Sequence, residues 1–247
     1  MDGLSKSQVD RLGERLKNSA TITDADLRML DAYRRRFSAA YDSVIATVRE
    51  KSGLEPTGRP AKSTEAIIAK LRRESARLSQ IQDIAGCRVR VEDILAQNAL
   101  VQALCNSINK TVVHDRRLKP SNGYRAVHVV ASVEGKAIEI QVRTQLQHGW
   151  AELSERMADV YGIEIKFGRP SEESENDILA MLSKIIPAME LMELIVKSEN
   201  PKGELGPIES ENNILIRAAN LASYKGQLQQ IINECLSRIE QIQRGTK

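Results

Sequence analysis

Three short stretches of alternating polar and apolar residues put chemistry-bearing side chains at every second position: Arg88, Arg90 and Glu92; His128; and Glu139, Gln141 and Arg143. Alternate side chains of an extended strand leave opposite faces. Val89, Val91, Val127, Val129, Ile138, Ile140 and Val142 therefore share the other face. Three such strands combine into a sheet with one apolar face and one face carrying carboxylate, amide, guanidinium and imidazole groups. A solvated outer face is the common origin of such a division; a site for a charged ligand is the other. Solvated faces carry mostly Lys, Glu and Thr, and this one is more varied.

The loop ahead of the second strand, residues 115–124, gathers Arg116, Arg117 and Lys119, an Asn122-Gly123 turn and Tyr124. A flat ring beside a basic cluster suits a nucleobase whose phosphates lie on the cations; a tyrosine bonded into the core is the alternative. A second cationic segment, Gly58-Arg59-Pro60-Ala61-Lys62-Ser63-Thr64, superficially resembles a P-loop. Ala61 stands where a Walker sequence needs Gly before the Lys, and the sequence predicts no strand ahead of it. What remains is a phosphate site at a helix N-terminus, where unpaired N–H groups and the helix dipole favour an anion. Lys70 follows near the same helical face as Lys62. A solvated basic helix explains that segment equally well.

These groups must be carried by a small sheet flanked by helices. Residues 4–51 read as two helices, the second capped near Thr23 and carrying Leu27, Leu30, Tyr33, Phe37, Tyr41, Val44 and Val48 at spacings of three and four. Residues 52–60 contain two Gly and two Pro and read as a loop. Ser63 or Thr64 caps a helix bearing Ile67, Leu71 and Leu78. A helix over about 93–108 separates the first two alternating runs, and Thr111–His114 reads as a further strand. Helices follow over about 145–161, 173–198 and 210–244. Leu221, Tyr224, Leu228, Ile231, Cys235, Ile239 and Ile242 give the last a nearly heptad seam, suited to a long partner helix in this chain or in a second copy. Pro201, Gly203, Gly206 and Pro207 mark the break before it.

Composition sets the outer bounds. The chain has 247 residues, 41% apolar and 28% charged, the make-up of an ordinary globule with a sizeable core. Its net charge of +3 argues against a broad nucleic-acid surface. Three cysteines, Cys87, Cys105 and Cys235, lack metal-ligand spacing and read as free buried thiols of a reducing cytosol. No signal peptide is legible at the N-terminus, and no apolar run approaches the roughly 18–20 residues that span a bilayer. The expected location is cytoplasmic, with no membrane partner.

Four blocks, taken together, resemble the synthetase domain of the RelA/SpoT family. They are Arg59-Pro60-Ala61-Lys62 with Ile67 and Lys70-Leu71; Gln82-Asp83-Ile84-Ala85-Gly86-Cys87-Arg88; Asn122-Gly123-Tyr124-Arg125-Ala126-Val127-His128; and Glu139-Ile140-Gln141-Val142-Arg143-Thr144, followed by His148 and Trp150. The resemblance implies an α+β fold with a small mixed sheet of the nucleotidyltransferase-like type. It divides the chain into an N-terminal helical region (1–54), a synthetase core (55–162) and a C-terminal helical region (163–247) that packs on the core, mediates oligomerisation, or does both.

Members of that family transfer the β,γ-pyrophosphate of ATP to the 3′-hydroxyl of GDP or GTP, making (p)ppGpp and AMP. By resemblance, Asp83 and Glu139 hold Mg²⁺, and Glu139 accepts the proton of the attacking hydroxyl. Arg59 stacks on adenine, and Lys62, Lys70 and Arg88 contact the ATP phosphates. Tyr124 stacks on the acceptor base, Asn122 and Gln141 lie near its edge, and His128, Arg116, Arg117 and Lys119 meet acceptor phosphates. Two departures stand out: two residues separate Arg59 from Lys62 where the family usually has one, and Ala66 replaces a common Ser. The only His-Asp pair is His114-Asp115, inside the synthetase block, so the expectation is a stand-alone small synthetase without the family's hydrolase domain. Other expectations differ in the acceptor, an adenosine nucleotide or the 3′ CCA end of tRNA in a toxic variant with an antitoxin. A non-catalytic nucleotide-binding module is a further reading, and a homo-oligomer through the terminal helices is also expected.

Overall fold

The N-terminal periodicity resolves into three helices where the sequence predicts two: α1 (Lys6–Asn18), α2 (Asp24–Arg35) and α3 (Ser38–Ser52) in the computed structural model. The structure describes residues 4–19, 21–162, 164–165, 173–199 and 208–245. Ser5 caps α1 in a capping box with Gln8, and the Thr23 hydroxyl caps α2. The unforeseen break lies at Arg36 and Phe37, whose N–H groups bond carbonyls three residues back, at Tyr33 and Arg34. That tightening bends the chain while Tyr33 and Phe37, both buried, meet edge to face. Apolar spacing continues through the break, so periodicity could not mark it.

The Gly/Pro stretch is also more than a loop. It contains β1 (Thr57–Arg59), paired antiparallel with β2 (Ala85–Val91), Gly58 opposite Cys87. Three exposed residues between two prolines carry no alternation, and proline is tolerated at a sheet edge. A short strand thus does precede the Lys62 segment, and the P-loop reading fails on Ala61 and on the spacing, since two residues and not four separate Gly58 from the position before Lys62. Helix α4 (Thr64–Arg73) begins at Ser63, whose hydroxyl accepts from the Ala66 N–H. Leu78, predicted on this helix, lies instead in a separate 3₁₀ turn (Leu78–Gln80).

The remaining strands fall where the alternation predicts. After α5 (Ile94–Ser107) come β3 (Thr111–Asp115), β4 (Val127–Val133) and β5 (Lys136–Thr144), in the sheet order β1-β2-β5-β4-β3. Val89, Val129, Ile138, Ile140 and Val142 are fully buried, whereas Arg88, His128, Glu139 and Gln141 are partly buried on the other face. The fold is α+β, a five-stranded sheet flanked by helices. Three helices follow: α6 (Gln145–Tyr161), α7 (Glu173–Glu199) and α8 (Ile208–Gly245). The break read at residues 201–207 lies outside the described residues.

By compactness the chain divides into two units that interleave along the sequence. The first comprises Met1–Val89, Leu100–His114 and His128–Val142; the second comprises Arg90–Ala99, Asp115–Val127 and Arg143–Lys247. The first is cored by Leu12, Leu16, Leu30, Ile67, Leu71, Leu78 and Ile84 together with Ile138 and Ile140. In the second, Leu146, Trp150, Leu153 and Met157 of α6 pack with Leu179, Leu182 and Ile186 of α7 and Leu228, Ile232 and Ile239 of α8.

The predicted seam on α8 is therefore partly corrected. Leu228 and Ile239 are buried and Cys235 packs at the edge, but Ile232 takes the place of Ile231, and Tyr224, Ile231 and Ile242 are exposed. A straight helix repeats every 3.6 residues and drifts off a strict heptad. Among the described residues no helix is long and apolar enough to cross a membrane. The three cysteines are free, with only Cys87 fully buried.

Candidate active site

In the first unit, cations converge on one carboxylate. Asp83 sits in the turn between the 3₁₀ segment and β2, where Ile84 accepts a backbone hydrogen bond from the Lys62 N–H at 2.7 Å. That bond draws the segment after β1 alongside Asp83. Lys62 Nζ then donates to Asp83 Oδ2 at 2.5 Å, and Lys70 Nζ, one face along α4, donates to Oδ1 at 2.9 Å. Arg59 Nη2 donates to the Asp83 carbonyl at 3.0 Å and stands 3.6 Å from Oδ2. The extra residue between Arg59 and Lys62 thus leaves both cations on the same aspartate.

Asp83 is buried. Burial alone would raise its carboxyl pKa, but Lys62 and Lys70 outweigh this and bring it down to about 2. Lys62 is pulled below the ordinary lysine value by burial, against the opposing effect of Asp83. The cluster is a desolvated ion group held ready around an ionised carboxylate.

Glu139 projects from β5 in the same unit. Its Oε1 lies 2.9 Å from His128 Nδ1 on β4, and its Oε2 accepts from Gln141 Nε2 at 2.7 Å. Since an ionised carboxylate only accepts, the proton of that imidazole contact belongs on Nδ1. Burial raises the Glu139 carboxyl; the His128 and Gln141 contacts outweigh this and hold it below its ordinary value, while the nearby Asp83 charge opposes them. Both carboxylates are therefore ionised at neutral pH and feel each other's charge.

Gly86 explains how β2 comes so near. A Cβ there would lie 2.4 Å from the Glu139 carbonyl oxygen, a separation no side chain tolerates. Arg59, Gly86, Arg88, Glu139 and Gln141 line a cavity of about 140 Å³ with Thr57, Gly58 and Cys87. Hard, ionised oxygen donors of this kind suit Mg²⁺, which takes one or two carboxylates and completes its shell with water and substrate phosphate. Among the described residues no group of three or more His, Cys, Asp or Glu is placed to hold a metal.

The second unit carries the predicted base-binding loop. Ser121-Asn122-Gly123-Tyr124 forms a tight turn, closed by the Tyr124 N–H on the Ser121 carbonyl at 3.0 Å. Asn122 and Gly123 both adopt positive φ, 49° and 87°, which is the reason for an Asn-Gly pair. Tyr124 is half-buried against the helical core and lines a cavity of about 210 Å³ with Ser121, Trp150, Ala151, Ser154 and Glu155. Arg143 donates through Nη2 to the Tyr124 hydroxyl at 2.9 Å, and its guanidinium lies 5.0 Å from the ring centroid. Although the alternation puts Arg143 on the polar face, it is buried, only 2% exposed.

The predicted site residues divide accordingly. Asp83, Glu139, Arg59, Lys62, Lys70, Arg88, His128 and Gln141 belong to the first unit; Tyr124, Asn122, Arg116, Arg117 and Lys119 belong to the second. Arg116 and Lys119 are exposed. Arg117, predicted beside them on phosphate, turns inward: its guanidinium binds both oxygens of Asp115 and the side-chain oxygens of Gln97 and Asn98. Sequence reasoning missed Gln97, together with the buried Gln147 and Glu190 that continue its contacts. The available signal was an acid on the apolar stripe of α7, four residues beyond Ile186.

Residues 58–158 match the family described as "Region found in RelA / SpoT proteins". Over 155 residues the chain is 35% identical to an uncharacterized protein of Mycobacterium tuberculosis, a match covering 61% of this chain and 54% of that one; the chain spans about half the length of the curated relatives it matches. Among solved structures, the small alarmone synthetase 1 of Bacillus subtilis bound to its product pppGpp superposes with a TM-score of 0.56 at 18% identity, over 70% of this chain and 99% of that chain. A GTP pyrophosphokinase family protein of Streptococcus pneumoniae gives 0.54 at 20% identity, over 75% of this chain and all of the other. The solved structures share the fold.

Proposed function

We propose that this chain, a RelA/SpoT-type protein through its residues 58–158, transfers the β,γ-pyrophosphate of ATP to the 3′-hydroxyl of GDP or GTP. The observation that carries the reading is the presence, within one unit, of two ionised carboxylates, one of them, Asp83, paired with two half-buried lysines and an arginine. Phosphoryl-type transfer is catalysed mainly by positioning and electrostatics, and this arrangement supplies both. Lys62, Lys70 and Arg88 bind the donor phosphates, the two lysines exchanging Asp83 for phosphate oxygens, and Arg59 stacks on adenine.

Glu139, kept ionised by His128 and Gln141, takes the proton of the 3′-hydroxyl as that oxygen attacks the β-phosphorus. The new bond is O3′–Pβ; the bond broken joins Pβ to the oxygen bridging it to Pα, and AMP leaves with that oxygen. When bound, Mg²⁺ on Asp83 and Glu139 supplies charge neutralisation on the transferring group. Tyr124 carries the acceptor base, with Asn122 at its edge. The exposed Arg116 and Lys119 meet acceptor phosphates, and Arg117 holds the loop from inside.

The test is product identification. Purified chain with Mg²⁺ and ATP is offered GDP, GTP, adenosine nucleotides or tRNA, and the products are resolved by anion exchange and phosphorus NMR. The expected result is AMP in equal amount to a 3′-pyrophosphorylated guanosine nucleotide, abolished by Glu139→Gln. Release of ADP, or transfer to the other acceptors alone, would overturn the reading.

A further inference from the structure

The second unit contains a buried carboxylate that the transfer chemistry does not use. Glu190 of α7 is 6% exposed, in helical register with the buried Leu182 and Ile186. Its Oε1 accepts from the Thr144 hydroxyl at 2.6 Å and from Gln147 Nε2 at 2.9 Å. Gln147 Oε1 accepts from Gln97 Nε2 at 2.8 Å, and Gln97 Oε1 accepts from Arg117 Nη1 at 3.0 Å. Gln97 and Gln147 are essentially inaccessible to solvent. Arg117 Nη2 and Nε bind Asp115, and the Arg117 carbonyl accepts from Arg125 Nη1 at 2.6 Å. A continuous chain of side chains thus joins α7 to both ends of the 115–125 loop.

The chain has a direction. Arginine can only donate, so Arg117 turns the Gln97 oxygen toward itself, the Gln97 amide N–H then meets Gln147 Oε1, and Gln147 Nε2 is left to donate to Glu190. Turning either amide would set donor against donor, or acceptor against acceptor, inside the core. A half-satisfied buried network costs more than an apolar one, so the register of the loop is bound to the acid on α7. Burial pushes the Glu190 carboxyl upward, with Thr144, Gln147, Arg117 and Arg125 opposing it. An apolar residue at this place would avoid that burial cost, yet the sequence carries Glu.

We infer that Glu190 is a positioning residue for the 115–125 loop, acting through Gln147, Gln97 and Arg117 and thereby setting affinity for the acceptor. This rests on the reading above that Tyr124 and its neighbours receive the acceptor nucleotide. The ATP-side groups named there lie in the first unit, so the effect falls on one substrate.

The experiment compares full-length wild type, Glu190→Leu and Glu190→Gln. Loss of the acceptor end raises the KM for GDP or GTP about tenfold in Glu190→Leu, the loss expected when a hydrogen bond to a charged group is removed, while the KM for ATP stays within about twofold. Glu190→Gln keeps an accepting Oε1 and restores most of the acceptor KM. Hydrogen–deuterium exchange over 115–126 quickens in Glu190→Leu and returns toward wild type in Glu190→Gln. Equal rises in both KM values, a change in kcat alone, or unaltered exchange in the loop would each overturn the inference. If Glu190→Leu does not fold, Gln97→Leu breaks the same chain one step on and must give the same acceptor-selective change. Should wild type make no 3′-pyrophosphorylated product, the proposed function fails, and the exchange comparison still decides whether Glu190 holds the loop.

Discussion

Replacing Asp83 with Asn removes the negative centre of the ion cluster while keeping its shape. The magnitude follows from its titration. A carboxyl near pKa 2 in the folded chain, against 3.8 for a free aspartate, contributes about 2 kcal/mol of charge-dependent stability at neutral pH. The sign is fixed by the depressed value: the contribution is complete above the unfolded pKa and is lost as pH falls through the folded one. It is roughly halved near pH 3.

Lys62 adds to the cost in the variant, because a buried ammonium left without its carboxylate is desolvated for no return. Urea unfolding followed by circular dichroism at pH 7 and pH 3 measures both terms. Asp83→Asn is expected to be less stable than wild type by at least about 2 kcal/mol at pH 7, with the gap narrowing toward pH 3. Adding Lys62→Met recovers part of the loss by removing the orphaned charge. An Asn variant as stable as wild type at pH 7, or a gap that does not narrow in acid, would refute the assignment of these three groups as one ion cluster.

Two further substitutions probe the neighbouring carboxylate. Gly86→Ala forces a methyl to within 2.4 Å of the Glu139 carbonyl, so the melting temperature is expected to drop by roughly 3–10 °C and turnover to fall with it; an unshifted melting curve would deny the close strand approach. His128→Ala removes a donor that holds the Glu139 carboxyl below its ordinary value against burial. Turnover is lost as pH falls through the Glu139 pKa, so in this variant the acid limb of kcat/KM moves to higher pH. A limb at the same pH in both proteins contradicts the proposed base.

Legibility in the sequence tracked how local the determinant is. Within β5, residues 138–142 are written in strict alternation, because each residue's face is set by its own position in the pleat. The turn that presents Tyr124 is equally local: Asn122-Gly123 spells positive φ twice. Strand β1 was invisible because its three residues owe their extension to pairing with β2. The split between α2 and α3 was hidden by an apolar period that continues across Arg36 and Phe37. Within the site, the family blocks supply residue types and not the partners those residues take. Arg117 and Lys119 look alike in sequence, and only Asp115, Gln97 and Asn98 in place decide that Arg117 turns inward. Glu190 escaped notice because burial of a lone acid depends on Thr144 and Gln147, more than forty residues away.

The order of strands in the sheet imposes a timetable on synthesis. Arg59, Lys62, Lys70 and Asp83 are all translated before β2 is complete, yet the strand that lies against β2 on its inner side is β5, beginning at Lys136. At about 5–20 residues per second the nascent chain carries that inner edge unpaired for several seconds. β1 covers only the outer edge, over three residues. Exposed strand edges are templates for pairing with other chains, so the vulnerable interval in the life of this protein falls while residues 92–135 are being translated and ends when Glu139 arrives opposite Gly86.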